Sequence, residues 1–512
     1  MNEWESRLAA IGGVVVLLGL YDAWRSKRSG SNAKEAVPEQ QEGAEQDEQE
    51  KRRRLRSIKL NYLLIYALVM TADWLQGPYI YSLYHDEFNY SIRIVAALFV
   101  LGFLSAGLLA PFVGDWADRF GRRRLCLVFT AAYTLSCATK MIRFLPFLIL
   151  GRLLGGFSTS ILFSVFESWL VSSALDRGMH QSELNSFLGR LTLVNGGVAC
   201  GAGMLSNQVV EAFGTFKAPF VTSAGFLVVA GLVISASWSE NYGEKKEETA
   251  GRWGHLVEAV RVVQNDSSLL YLLAVITAFE ASMYLFVFLW VPTLQSTLSP
   301  DDSALPLGVI FSSFMVCLSG GSIIYNILHF HLSACAGRNL RSTAKAHRDA
   351  HSQPLASSAA SQPTPNEHAP LIPPPTSQRG ASKLSLERIA SISFNSRLGS
   401  LVLMAAGTLL LVSTTVESAK AKFWCFVAFE IAVGMYYPMA ASLRSALIAE
   451  EHRATITALF RVPLNLLVTI ALLSGLESRP RDVFILCFGA LLPASGMALG
   501  INVELRRSLM KE

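Results

Sequence analysis

Four ionisable side chains stand inside apolar runs long enough to cross a bilayer, which takes about 20 residues for a helix. They are Asp73, Arg152, Glu280 and Glu430. A charge near the bilayer centre costs about 2.5–3.5 kcal/mol on insertion scales, so each residue predicts a functional site. We expect Asp73 and Glu280 at similar depth, with Arg152 and Glu430 nearer the outer side. Such a ring of charge is typical of a transport site between two halves of a helical bundle. The alternative is a network of ion pairs that only holds the helices together.

Polar residues and helix breaks accompany these charges. The polar candidates are Gln76, Tyr79, Arg461 and Asn465. Gln76 lies three residues after Asp73 and so shares its helix face. The Gly77-Pro78 pair predicts a kink that exposes polar backbone, and Pro463 places a second break beside Arg461. Lys140, by contrast, is expected to extend its ammonium group towards a membrane edge.

A dense charged turn at residues 114–124 separates two apolar runs. Its candidate gating residues are Gly114, Asp118, Arg119, Gly121, Arg122 and Arg123. The glycines are expected to let the backbone turn and two helices approach. The arginines predict the cytoplasmic side. There Asp118 would accept backbone donors or pair with Arg122, closing the inner face when a cavity faces outward. Alternatively, the turn only sets topology.

The composition indicates an all-α polytopic membrane protein. Hydrophobic residues make up 51% of the chain and charged residues 16%, against about 25% charged residues in soluble proteins. The net charge of +5 is spread over loops, which favours a role in membrane orientation and not in nucleic-acid binding. Two sets of six core helices are predicted, near residues 58–84, 92–113, 124–140, 144–171, 187–211 and 217–238, then 268–292, 305–330, 396–415, 422–445, 455–476 and 481–503.

These elements divide the chain into five parts. They are residues 1–57, with an extra apolar helix at 9–24 and a polar basic linker; 58–238, a six-helix bundle; 239–267, a cytoplasmic linker with an amphipathic helix; 268–503, a second six-helix bundle; and 504–512, a cytoplasmic tail. Residues 29–50 and a cytoplasmic loop at 336–392 are too polar or too rich in Ser and Pro to bury an apolar face, and are predicted to be disordered.

The charged turn resembles the loop signature Gly-x-x-x-Asp-Arg-x-Gly-Arg-Arg of the major facilitator superfamily, which joins the second and third core helices there. Further segments resemble one branch, the molybdate-anion transporter family. They are Ala-Asp-Trp-Leu-Gln-Gly-Pro-Tyr-Ile-Tyr at 72–81, Gly-Arg-Leu-Leu-Gly-Gly at 151–156, Phe-Glu-Ser-Trp at 166–169, Ile-Phe-Ser-Ser-Phe-Met at 310–315 and Phe-Arg-Val-Pro-Leu-Asn at 460–465. Because they are scattered over both halves, the resemblance covers the core. It implies the major facilitator fold with two six-helix bundles, to which the apolar run at 9–24 would add one N-terminal helix.

The resemblance implies uptake of molybdate across the plasma membrane by alternating access. Arginine forks suit a tetrahedral oxyanion, so Arg152 and Arg461 are the expected anion ligands, with Gln76, Tyr79 and Asn465 as donors. The three acids would repel a dianion unless they pair with the arginines or carry protons, and the second option implies proton-coupled uptake. We expect a lipid bilayer and an oxyanion as partners, with no obligatory protein partner.

Two alternatives remain open from the residues. The first is a carrier of another small solute, such as a sugar, a sulfate-like anion or an organic cation. The second is a non-transporting membrane sensor that signals through residues 336–392. An enzyme is not predicted, because no catalytic or metal-binding spacing occurs, and no cofactor is expected.

Overall fold

The computed structural model of the protein describes residues 3–30, 42–243, 252–298, 304–351, 376–449 and 452–509. Within these ranges the regular structure is helical, without strands. Eleven of the described helices are long and apolar enough to cross a membrane. Two more long helices complete the bundle. They are Arg122–Thr139, which begins with three arginines, and Gln181–Phe213, which contains five glycines. This architecture confirms the predicted fold class.

The helices are named in chain order. They are α1 (Glu3–Gly30), α2 (Glu42–Gln76), α3 (Ile92–Phe120), α4 (Arg122–Thr139), α5 (Leu145–Leu162), α6 (Val165–Asp176), α7 (Gln181–Phe213), α8 (Ala218–Ser237), α9 (Arg252–Asn265), α10 (Ser267–Gln295), α11 (Leu307–His351), α12 (Thr376–Thr415), α13 (Ala419–Leu447), α14 (Arg453–Leu473) and α15 (Pro480–Leu509).

The helices form two packed sets that touch along two seams. In the first set, α2 packs against α7 and α8, while α5 packs against α3 and α4. In the second set, α10 packs against α13, α14 and α15, while α12 packs against α13 and α15. The seams between the sets are α3 against α14 and α7 against α11. Any cavity that lies between the two sets of helices is therefore lined by residues of both sets.

The seam between α7 and α11 depends on two glycines. A Cβ atom on Gly203 would lie 2.8 Å from the Gly308 carbonyl oxygen, and one on Gly308 would lie 2.3 Å from the Gly203 carbonyl oxygen. The Ser312 hydroxyl donates to the Cys200 carbonyl at 2.7 Å across the same seam. Small residues let helix backbones approach closely in membranes, so this contact sets the spacing of the two sets.

The Gly77-Pro78 pair breaks the second helix, as predicted. Helix α2 ends at Gln76, and a 3-10 turn covers Gly77–Tyr79. The chain then continues as a short helix and a π-type turn to Glu87. Proline removes a backbone donor and obstructs the preceding turn, which accounts for the break. The break lies one residue beyond Gln76 and therefore close to the polar residues of the cavity.

Helix α1 is the predicted extra helix, and it packs on the second set. Near its N-terminus, the Trp4 ring lies edge-on to the Phe423 ring of α13 at 5.2 Å between centroids. Near its C-terminus, Arg25 donates to the Ile327 carbonyl of α11 at 3.2 Å and lies over the Phe330 ring. Helix α1 thus runs parallel to α11, whose start is predicted outside. This direction agrees with the flanking charges of the run, which are acidic at Glu3 and Glu5 and basic at Arg25 and Arg28 and so favour an N-terminus outside.

Three helices extend further than the sequence predicts. Helix α2 begins at Glu42, inside the segment 29–50, while α11 continues to His351 and α12 begins at Thr376, inside the segment 336–392. The extension of α2 is rich in Glu, Lys and Arg, which form helices well, and Arg54 pairs with Glu50 one turn away at 2.5 Å. The polar composition of these extensions indicates that they bury no apolar face. A helix can nevertheless continue from a membrane span that has already formed, because propagation costs far less than nucleation. Residues 31–41 and 352–375 lie outside the described residues.

Candidate functional site

Asp73 belongs to a polar cluster among the first six core helices. The Tyr133 hydroxyl donates to Asp73 Oδ1 at 2.6 Å. The Gln76 amide donates to the Ser223 hydroxyl at 3.0 Å, and its Oε1 accepts from Lys140 Nζ at 3.1 Å. A cavity of about 230 Å³ is bordered by Asp73, Gln76, Tyr133 and Lys140, and Arg152 also lines it. The cluster therefore joins one acid, two cations and hydrogen-bonding neutral groups around one space.

Lys140 is buried in this cluster and does not extend to a membrane edge. The residue is only 2% exposed, and its ammonium donates to Gln76 and to the Ser136 hydroxyl, each at 3.1 Å. The reason is the close packing of α4 on α5. A Cβ atom on Gly151 would lie 2.1 Å from the Thr139 hydroxyl oxygen, so the glycine admits the end of α4. The expectation for Lys140 is thus wrong, because α5 covers the path to the lipid.

Arg152 lies where it can present its guanidinium to the cavity. Its Nε donates to the Leu98 carbonyl at 2.8 Å, and Nη2 lies 3.5 Å from the Phe99 carbonyl oxygen. The guanidinium rests against Gly102 of α3, where a Cβ atom would be 2.6 Å from Nη2. Two backbone carbonyls thus orient the side chain without neutralising its charge. The cation remains available to an anion.

Glu280 belongs to a second cluster, formed by helices of the second set. The Tyr436 hydroxyl donates to Glu280 Oε1 at 3.2 Å. Glu280, Arg444, Arg461 and Asn465 all line a cavity of about 380 Å³. Helix α14 approaches α3 closely here, since a Cβ atom on Gly107 would lie 2.9 Å from Asn465 Nδ2. The second cluster therefore repeats the pattern of the first, with a tyrosine-bound acid and two cations.

The two cavities adjoin and together favour an anion. Phe103, Ala106 and Thr159 line both. The cationic side chains of the combined lining are Lys140, Arg152, Arg444 and Arg461, and the acidic ones are Asp73 and Glu280. Four cations against two acids leave two formal positive charges in excess. A low-dielectric cavity with this excess attracts a dianion more strongly than a neutral solute or a cation.

The structure places Tyr79 and Glu430 away from these cavities. The Tyr79 hydroxyl donates to Asn207 Oδ1 at 2.9 Å and accepts from the Gly308 backbone N–H at 3.4 Å, at the seam between α7 and α11. Glu430 is 4% exposed and borders neither cavity. Arg152 and Glu430 therefore do not form the symmetric pair suggested by their depths. Helix rotation separates them, and sequence spacing alone does not reveal rotation.

Aromatic and polar contacts close the outer end of the cavities. Gln295 Nε2 donates to Asp86 Oδ2 at 3.0 Å between the two sets. The Phe103 and Tyr284 rings meet at 4.6 Å, and the Phe99 and Phe288 rings at 5.2 Å. The larger cavity extends the other way, towards the predicted cytoplasmic ends of the helices, where it is lined by Ser164, Arg444 and Thr457. With the predicted orientation, the molecule is therefore in an inward-facing form.

The charged turn is bound to the first set of helices in this form. Asp118 Oδ1 accepts from Arg122 Nη2 at 2.9 Å, and the Asp118 carbonyl accepts from the Gly243 N–H at 3.4 Å. Arg122 also donates to the Ser168 carbonyl at 3.3 Å. Arg119 is exposed at the end of α3. These contacts of Asp118 and Arg122 all lie within the first set. The Asp118–Arg122 pair is intact although the inner side is open, whereas this contact was expected from the sequence to close the inner face.

Glu240 caps the helix that follows the turn. Its carboxylate accepts from the backbone N–H of Arg123 at 2.8 Å and of Arg124 at 3.2 Å, the first turn of α4. Gly121 has a φ of +101°, and a Cβ atom there would lie 2.5 Å from Glu240 Cδ. A Cβ atom on Gly114 would meet nothing within 4 Å. Of these two glycines of the turn, only Gly121 is therefore required by the close approach of another side chain.

Sequence reasoning missed four residues that the structure brings to the site or its support, namely Tyr133, Lys140, Arg444 and Glu240. Arg444 had the appearance of a loop charge, because it lies in the last turn of α13. The glycines at 151, 155 and 156 were the available signal for Lys140, since they predict a close neighbour helix. Nothing in the spacing pointed to Glu240, whose role depends on the chain returning from α8.

Comparison with known proteins gives a consistent set of similarities. A family model described as sugar transporters, 12 TM, matches residues 38–337. The molybdate-anion transporter of Danio rerio is 30% identical over 439 residues, covering 81% of this chain and 78% of the relative. The protein of the same name from Takifugu rubripes is 29% identical over 454 residues, covering 82% and 79%.

Solved structures of transporters share the fold. A nucleoside transporter superposes with a TM-score of 0.60 at 9% identity, covering 87% of this chain and 99% of that chain. An auto-inhibited peptide transporter of the POT family gives a TM-score of 0.56 at 11% identity, covering 88% and 97%. At such low identity these two likenesses concern the fold alone.

Proposed function

We propose, from the premise that the chain belongs to the molybdate-anion transporter family of the major facilitator superfamily, that it carries molybdate across the plasma membrane by alternating access. The observation that carries the proposal is the excess of two positive charges in the adjoining cavities. Molybdate is a tetrahedral dianion, so its charge matches this excess. Arginine forks and ammonium donors also suit its oxygens.

The anion ligands in this proposal come from both sets of helices. Arg152 and Lys140 would hold the anion on one side, and Arg461 and Arg444 on the other. Asn465 adds an amide donor, while Gln76 acts through Lys140, to which its Oε1 is already bound. Tyr79 lies at a seam and stabilises the contact with α11. A site shared by both sets is what alternating access requires, because rocking then alters its exposure.

Inward movement of a dianion needs a source of energy in a polarised cell. Each charge moved against 100 mV costs about 2.3 kcal/mol, so a dianion entering against an inside-negative potential of that size costs about 4.6 kcal/mol. Each proton carried in the same direction offsets about half of this cost. We therefore include proton coupling in the proposal. Asp73 and Glu280 each accept a hydrogen bond from a tyrosine hydroxyl, which holds their carboxyl groups beside the cations. The lining of the combined cavities still contains more cations than acids.

The charged turn is proposed to act as the inner gate. In the inward-facing form Asp118 binds Arg122 and the Gly243 backbone on its own side of the molecule. Closing the inner side would bring the end of α3 towards α14, its neighbour across the seam. The residues at 114, 118, 119, 121, 122 and 123 would then move as one rigid unit, because Glu240 ties the turn to the start of α4.

Uptake of labelled molybdate at nanomolar concentration, in cells lacking their own carrier, tests the function. Wild type is compared with Arg152→Ala, Arg461→Ala, Asp118→Ala and a control, Arg143→Ala, whose side chain is exposed outside both cavities. We expect saturable uptake by wild type and the control. The two cavity variants should lose at least about tenfold in apparent affinity, because charge-assisted hydrogen bonds contribute about 1.5–3 kcal/mol. Asp118→Ala should lower the rate at normal surface expression.

Several results would contradict the proposal. Wild type that reaches the cell surface without taking up molybdate argues for another cargo. Competition by sulfate, by sugars and by organic cations then identifies its class. Equal uptake by Arg152→Ala, Arg461→Ala and wild type would remove the cavity from the anion path. Unchanged uptake by Asp118→Ala would remove the gating role of the turn.

A further inference from the structure

Glu430 is a buried acid that the anion cavities do not use. Its residue is 4% exposed, and its Oε2 atom has no hydrogen-bond partner among the described residues. Helix α13 presses closely on α11 nearby. A Cβ atom on Gly434 would lie 1.9 Å from the Leu318 carbonyl oxygen, and one on Gly321 would lie 2.1 Å from the Ile431 carbonyl oxygen. The backbones of α11 and α13 thus touch near Glu430, and among the described residues no cationic side chain pairs with its Oε2 atom.

The turn of α13 that precedes Glu430 packs on its neighbours through aromatic rings. Phe426 and Phe429, on the adjacent turn of α13, contact the Phe286 ring of α10 at 5.0 and 4.7 Å between centroids. The Phe426 ring also approaches Phe314 of α11. An ionised carboxylate without a cation is very unfavourable in such a place, whereas a neutral carboxyl group costs far less. The species that this site accepts is therefore a proton.

Two titratable groups lie near enough to Glu430 to interact with its charge. They are the Cys317 thiol of α11 and the Tyr437 hydroxyl, two turns along α13. Tyr437 lines the larger cavity, and its hydroxyl donates to the Met283 sulfur at 2.9 Å. On the described part of α10, the nearest acid of the cavity is Glu280, which Tyr436 binds. Tyr437 is therefore a residue of the larger cavity that lies within electrostatic range of Glu430.

We propose that Glu430 is the proton-binding site of the transport cycle, separate from the anion cavities. The inference rests on the proposed function. In the outward-facing form the Glu430 carboxylate takes a proton from the outer water. In the inward-facing form the protonated group is enclosed, and the proton leaves past Tyr437 to the water of the larger cavity. One proton enters and one leaves in each cycle, so no other reactant is needed.

Purified protein in proteoliposomes tests this assignment. Equal potassium on both sides with valinomycin sets the membrane potential to zero, and an inward gradient of one pH unit is imposed. One proton carried with each anion then gives accumulation of about tenfold, since one pH unit corresponds to about 1.4 kcal/mol. The variants are Glu430→Gln and a control, Glu417→Gln, at an exposed acid before α13. Each is also assayed for exchange of labelled against unlabelled molybdate without a gradient.

We expect wild type and Glu417→Gln to accumulate molybdate about tenfold, and Glu430→Gln to exchange molybdate at a near-normal rate without accumulation. Retained exchange also proves that the variant is folded. Accumulation by Glu430→Gln equal to wild type would overturn the assignment. A second measurement does not depend on the variant: molybdate flowing into wild-type vesicles should acidify an enclosed pH dye. Net molybdate influx without acidification would also overturn the inference and the proton coupling, while molybdate transport itself would stand. Wild type without exchange would contradict the function itself.

Discussion

At the scale of single residues, Gly121 and Glu240 explain the shape of the charged turn. The carboxylate of Glu240 occupies the space that a side chain at 121 would need, and it satisfies two backbone donors at the start of α4. A helix N-terminus favours a negative charge, because its first N–H groups are unpaired within the helix. The arginines of the turn are thus held in place by an acid about 120 residues later in the chain.

Replacement of Gly121 by alanine should destabilise the protein. The positive φ of 101° and the 2.5 Å approach to Glu240 together make a Cβ atom unfavourable, at a cost of about 1–3 kcal/mol for the backbone strain alone. The matched control is Gly114→Ala in the same turn, where nothing lies within 4 Å. Thermal unfolding in detergent measures both. Equal melting temperatures for the two variants would contradict the role assigned to Gly121.

Lys140 and Glu430 mark the limit of sequence reasoning at this scale. Hydropathy reveals that a charge lies within or beside a span, and this was sufficient to single out Asp73, Arg152 and Glu280. It does not reveal which neighbour covers the side chain. Lys140 is enclosed because α5 packs on α4 through Gly151, and Glu430 is enclosed because α13 packs on α11. Both outcomes depend on helix rotation, which a single sequence does not fix.

At the scale of helices, α1 attaches to the second set at both of its ends. Near its start, Lys420 Nζ lies 2.8 Å from Glu3 Oε2, and the Arg7 guanidinium stacks over the Trp4 ring. Midway, a Cβ atom on Gly320 of α11 would lie 2.8 Å from a Val15 methyl group, so the helices touch along their length. The opposite face of α1 is apolar and exposed, as suits contact with lipid.

Trp4→Ala should loosen α1, because it removes the edge-on contact with Phe423. Aromatic pairs contribute about 0.5–1.5 kcal/mol beyond their buried area, so a lower melting temperature is expected. Leu17→Ala is the control on the same helix, since Leu17 is 68% exposed on the lipid side. Unfolding in detergent distinguishes the two. A Trp4→Ala protein as stable as the Leu17→Ala protein would mean that the outer end of α1 is only weakly held.

The helices themselves were largely predictable, and their ends were not. Each apolar run became helical, since a segment in lipid must satisfy its backbone groups internally. The run predicted as one helix at 144–171 is nevertheless divided at residues 163–164 into α5 and α6. The break after Gln76 was also predictable, because Pro78 removes a donor. The extensions of α2, α11 and α12 were not, because polar residues next to a span lose little by continuing the helix. Composition indicates which segments are buried in lipid or protein, and it does not indicate how far a helix continues beyond them.

At the scale of the whole molecule, the outer seal determines which side the cavities face. The Asp86–Gln295 hydrogen bond and the aromatic contacts beside it join the two sets of helices. By comparison, α1 and α11 belong to one body, since α1 packs on the second set along its length. Rocking of one set of helices against the other must break the Asp86–Gln295 hydrogen bond and the aromatic contacts beside it. The contacts between α1 and α11 must stay intact.

Paired cysteines test this difference, in a background with the seven native cysteines replaced. A short thiol crosslinker between Asp86→Cys and Gln295→Cys should abolish uptake, because it keeps the outer side closed. The control pair is Gly19→Cys with Ile323→Cys, where a Cβ atom on Gly19 lies 3.7 Å from Ile323 Cδ1. Crosslinking this pair should leave uptake near its starting rate. Full uptake with the outer pair crosslinked would exclude rocking about this seal.

The attachment of α1 to the second set also affects how the chain is made. Helix α1 precedes its neighbours in the chain by a long interval, because α11 and α13 begin only at Leu307 and Ala419. At about 5–20 residues per second, the ribosome needs roughly 20–80 s to reach the start of α13. Helix α1 must therefore wait in the bilayer without α11 until Leu307 has been reached, and without α13 throughout this interval. Its orientation must therefore be set by its own flanking charges, Glu3 and Glu5 at one end and Arg25 at the other, before any contact exists to correct it.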